Sequence, residues 1–174
     1  MSLRFPILLL GFCCVLSTLT SGEERWPRVY VREVVARAAV VAALDGASQW
    51  LTAPACSSGL AELQDPNGIP LAQPLAHHGT SWHQYLQWIS FYEGQPGAPC
   101  GRGDLIAFTA LGSRVVFICP KAFLAVWRRD PPRAKALVMH EVLHTLGVAE
   151  RPASAEQITD QVLRVCGRRL RHVR

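Results

Sequence analysis

The residues best equipped for chemistry lie close together near the C-terminal end: His140, Glu141, His144, Gly147 and Glu150, in the string HEVLHTLGVAE. On a helix, positions 140 and 144 are one turn apart and project from the same face. Two imidazoles at that spacing can hold one Zn²⁺. Glu141 falls at the edge of that face, where its carboxylate is placed to accept a proton from a metal-activated water rather than to bind the metal. Gly147 stands where a helix would break, because glycine takes the left-handed conformation at a helix end at little cost. A chain that turns there can bring Glu150 back as a third ligand, carboxylate oxygen being an ordinary zinc donor.

The stretch resembles the H-E-x-x-H signature of the zincin metallopeptidases. Extended, it is similar to the metzincin H-E-x-x-H-x-x-G-x-x-H, with Glu150 where that family has a third His. Methionines occur only at 1 and 139, so the metzincin Met-turn has no counterpart. Glu156 and Asp160 form a Glu-x-x-x-Asp pair similar to the gluzincin arrangement, which makes Glu156 the alternative third ligand. The resemblance implies an α+β, zincin-like fold, with a small twisted sheet packed on an active-site helix and flanked by N-terminal and C-terminal helices. It implies a zinc-dependent metalloendopeptidase acting on a peptide or protein substrate, with Glu141 as the catalytic base. The alternative is a zincin-like binding or structural module that no longer cleaves, in which zinc staples the fold.

The 174 residues begin with one basic residue, Arg4, an apolar run over 5–19 and the small residues Thr20, Ser21 and Gly22. That pattern reads as a secretory signal peptide over 1–22, and hence as a secreted or periplasmic protein with no stable membrane insertion after cleavage. The remaining span, 23–174, suits a single domain with its own core. Its net charge is mild, +5 for the whole chain and +4 once Arg4 is lost. The arginines gathered over 165–174 read as a solvated basic tail; without interleaved aromatics they give no sign of nucleic-acid binding. Nothing in the chain calls for a second copy, so a monomer is expected. Of six cysteines, Cys13 and Cys14 lie in the signal and four remain. An even count in an exported chain points to two disulfides among three possible connectivities. Cys100–Cys119 with Cys56–Cys166 is preferred: the first pair braces a hairpin, the second ties the last helix to the N-terminal half.

The elements needed to position the site can be sketched from the pattern. Val31, Val34, Val35, Ala38, Val41 and Ala42 make an apolar stripe at helical spacing, on a helix ending near Asp45-Gly46. A short helix is expected around Cys56, a turn at Asp65-Pro66-Asn67-Gly68, and a helix opened by a Ser81/Gln84 capping box. His77, His78 and His83 lack motif spacing and read as exposed. Residues 91–94 lead into a Gly/Pro-rich loop. The β-branched and aromatic runs 105–109 and 114–118 make a hairpin about Leu111-Gly112-Ser113. Asp130 caps the active-site helix over 132–146, with Val138 and Val142 facing the core. Ser154 and Gln157 open the last helix, which Gly167 stops.

Overall fold

The computed structural model describes residues 26–97, 99–101, 103–150 and 153–167. The proposed signal peptide and most of the basic tail lie outside the described residues. Within them the fold is α+β, with seven helices and a four-stranded mixed sheet.

The sheet consists of β1 (Arg28–Tyr30), β2 (Ser90–Glu93), β3 (Ala107–Thr109) and β4 (Val115–Ile118), in the order β1-β2-β4-β3. β1, β2 and β4 run parallel, and β3 is the antiparallel edge. Side chains alternate across a sheet with period two. Phe91, Val116, Ile118 and Ala107 therefore turn to the helical side and are buried. Their neighbours face outward as a row of rings: Tyr30 stacks on Tyr92 at 4.7 Å and Phe108 on Phe117 at 5.0 Å. The hairpin expected over 105–118 forms, its strands shortened to Ala107–Thr109 and Val115–Ile118.

Two strands were not foreseen. β1 occupies a stretch with no strand expectation. β2 occupies residues read as the approach to a loop, although Phe91 is fully buried between β1 and β4. Parallel pairing leaves no local trace, because the partners Val29 and Phe91 are joined by the whole N-terminal helical segment.

α1 (Val34–Leu51) overturns the expected stripe. The helix runs straight through Asp45-Gly46, and the side it buries is Ala36, Ala39, Val40, Ala43, Leu44 and Ala47. Val34 and Val35, assigned to the core, are 64% and 51% exposed. The alanines decide the face, since small side chains let α5 (Pro120–Arg129) and α6 (Pro131–Thr145) approach closely. Gly46 belongs to the same contact: the Lys135 side chain of α6 lies where a Cβ would stand. By length and apolar content α1 could cross a membrane, but 56% of it is buried within the fold, the position of a core helix.

α2 (Pro54–Ala61) is the short helix around Cys56, α3 (Ala72–His77) was not foreseen, and α4 (Trp82–Gln87) opens with the Ser81/Gln84 capping box. α5 was also unforeseen. α7 (Ala155–Cys166) opens with the Ser154/Gln157 box and is followed by Gly167. Both disulfides form with the preferred connectivity, Cys56–Cys166 and Cys100–Cys119. The first joins α2 to the end of α7, and α7 in turn packs on α6.

Candidate metal centre

α6 carries the site. Its start is fixed by Asp130, whose side chain accepts the Arg133 N–H at 3.0 Å, and by prolines at the first helical positions, where no N–H is needed. Ala134, Val138, Met139, Val142 and Leu143 are buried, so the helix is held on several sides. Met139, the only methionine among the described residues, is core packing 1% exposed.

The bend that ends α6 decides where Glu150 lies. Gly147 has φ +99°, and the Gly147 and Val148 N–H groups bond back to His144 and Leu143 carbonyls at 3.0 and 3.2 Å. A side chain at 147 would meet nothing within 4 Å, so glycine is required by the backbone conformation and not by space. The reversal sets the Val148 carbonyl 2.5 Å from His144 Nδ1 and returns Glu150 to the histidine face.

His140 Nε2 and His144 Nε2 stand 2.8 Å apart, and a Glu150 carboxylate oxygen lies 3.7 and 3.6 Å from them. One ligand atom from each of the three lies within 4.8 Å of the others, and the group could hold a metal ion. Both histidines are buried, while the Glu150 side chain is 55% exposed and forms the open side. A tetrahedral ion with bonds of about 2.0–2.2 Å separates its donors by roughly 3.3–3.6 Å. The two carboxylate separations already match, and the imidazoles need to part by only about 0.5 Å.

Donor and acceptor roles fit the same use. The Val148 carbonyl can only accept, so His144 carries its proton on Nδ1 and offers the Nε2 lone pair. His140 Nδ1 lies 3.0 Å from the hydroxyl of Thr159 on α7, itself 1% exposed. Burial first, and His144 second, push the His140 imidazole down to about 4, so it is neutral at ordinary pH, the form that ligates metals.

Glu141 is 6% exposed, and its Oε2 has no hydrogen-bond partner among the described residues. Burial, and then the charge of Glu150, push its carboxyl up to about 8. A buried carboxylate oxygen with no protein partner calls for an explanation, and a role in chemistry is one of the few available.

No known protein family, characterised protein or solved structure matches this chain. The functional reading therefore rests on geometry. That geometry gathers His140, His144 and Glu150 and leaves Glu156 out. Glu156 instead accepts from Arg133 at 3.0 Å, and Asp160 lies 3.7 Å from the same guanidinium. His77, His78 and His83 are exposed and take no part; His83 bonds Ser48 at 2.9 Å.

Four supporting contacts had no signal in the sequence. Thr159 and the Val148 carbonyl each hold an imidazole. The hairpin turn docks on the end of α6 through Gly112 N–H to the His144 carbonyl, 3.0 Å. Tyr85 adds a bond from its hydroxyl to the Thr145 carbonyl, 3.1 Å.

Proposed function

We propose that the chain is a zinc-dependent peptide hydrolase of zincin-like fold that works outside the cytoplasm. The observation that carries this reading is the convergence of two imidazoles and a carboxylate on one point beside the buried Glu141, whose Oε2 has no partner among the described residues. Two nitrogen donors and one oxygen donor are a common set for catalytic zinc, leaving a fourth position open. Zinc held there would lower the pKa of water to about 7 and polarise a substrate carbonyl.

The remaining work falls to the chain. Glu141 takes the proton of the attacking water and returns it to the departing amine. It follows His140 directly on α6, which places it beside the imidazole face. β3 is an edge strand packed on α6, so an extended peptide can pair along it and lie beside the two histidines. The two disulfides fit an oxidising compartment, in keeping with the apolar N-terminal run.

The test is metal analysis of the purified protein together with Glu141→Gln. About one zinc per chain is expected in both proteins, with peptide hydrolysis at least about 100-fold lower in the variant. Protein that binds no zinc, or a variant as active as its parent, would refute the proposal. The burial of Glu141 also favours a second reading, a binding module in which zinc only braces the fold. Stoichiometric zinc without cleavage across a broad peptide library would assign that one.

A further inference from the structure

Thr159 has a property that the ligands themselves do not. Its hydroxyl lies 3.0 Å from His140 Nδ1 and also 3.0 Å from the Ala155 carbonyl one turn back on α7. A hydroxyl can donate one proton and accept others. Facing it, the two Nε2 atoms are 2.8 Å apart, and His144 Nε2 must carry a lone pair because its Nδ1–H is committed to the Val148 carbonyl. The one hydroxyl proton of Thr159 is donated to the Ala155 carbonyl, so its oxygen accepts from His140 Nδ1–H.

A cation shared by the two imidazoles needs both Nε2 lone pairs. His140 must then carry its proton on Nδ1, where it needs an acceptor. The Thr159 hydroxyl, donating to Ala155 O, turns a lone pair to that proton, so each polar group in this chain of contacts has its partner.

We infer that Thr159 is a positioning residue whose hydroxyl accepts the His140 Nδ1 proton and so keeps the Nε2 lone pair available to a metal. This rests on the metal-site reading above and adds to it a residue on a different helix, 19 positions from the histidine it serves. Valine at 159 matches the shape but offers neither role; serine offers both.

The experiment compares Thr159→Val and Thr159→Ser with the parent. Zn²⁺ affinity is read by competition with a chromogenic chelator, and the His140 tautomer by nitrogen NMR with and without zinc. The parent is expected to show His140 protonated on Nδ1, and Thr159→Val to lose that preference without metal. Thr159→Val is expected to bind zinc about 10- to 100-fold more weakly, the usual cost of losing an outer partner of a ligand histidine, and Thr159→Ser within about threefold of the parent. Thr159→Val at parental affinity, Thr159→Ser as weak as Thr159→Val, or a parent with His140 protonated on Nε2 would each overturn the role of Thr159. A parent without zinc affinity would instead overturn the metal site itself. Should circular dichroism show Thr159→Val unfolded, Thr159→Ala takes its place against the same serine control.

Discussion

Glu150 and Glu156 compete on paper for one role, and their surroundings separate them. Glu150 sits three residues past the Gly147 bend, with an oxygen 3.6–3.7 Å from both imidazoles. Glu156 is 71% exposed at its side chain and occupied by Arg133. Glu150→Ala is expected to weaken zinc binding by more than the 10- to 100-fold typical of an outer-shell partner, while Glu156→Ala stays within about twofold. Chelator competition on the two variants checks this, and the reverse order would move the third ligand to α7. The candidate ligands were legible because all of them lie within eleven residues whose mutual geometry a helix and one glycine bend fix locally. Thr159 was not, since its place against His140 depends on how α7 settles on α6, which no local pattern encodes.

At the scale of elements, the instructive failure is α1. A stripe drawn through the largest apolar residues, Val34, Val35 and Val41, selected the side that faces solvent or is half-covered. The buried side is made of alanines because it meets two helices, α5 and α6, at close range. Size and burial part company wherever backbones approach, and a scale of hydrophobicity cannot detect that. The faces can be told apart by substitution. Ala43→Leu should destabilise the fold by about 1–3 kcal/mol through overpacking, and Val34→Ser should change stability by less than about 0.5 kcal/mol. Urea unfolding in the presence of a chelator measures both without a contribution from metal. Equal effects would mean that α1 does not sit as described. By contrast, α6 and α7 were readable nearly to the residue, since each opens with a side-chain cap and ends at or just before a glycine.

For the molecule as a whole, the two disulfides divide the labour of holding the site. Cys100–Cys119 closes a short segment at the end of the hairpin, with a sequence separation of 19. Cys56–Cys166 spans 110 positions and fastens the far end of α7, the helix that bears Thr159, to α2. Chain entropy lost by the unfolded state grows with the logarithm of the closed length, so the longer loop is worth about 1.5 kcal/mol more than the shorter one. Removing Cys56 and Cys166 together as serines should therefore cost more of the total range of about 2–5 kcal/mol than removing Cys100 and Cys119. It should also weaken zinc binding, because a loosened α7 no longer holds Thr159 against His140. The Cys100/Cys119 pair touches neither helix of the site, so its loss should leave zinc affinity near parental even where the denaturant midpoint falls. Midpoints and zinc affinities of the two double variants decide the matter. If the Cys100/Cys119 variant lost more zinc affinity than the Cys56/Cys166 variant, the support of the metal centre would have to run through the sheet rather than through the last helix.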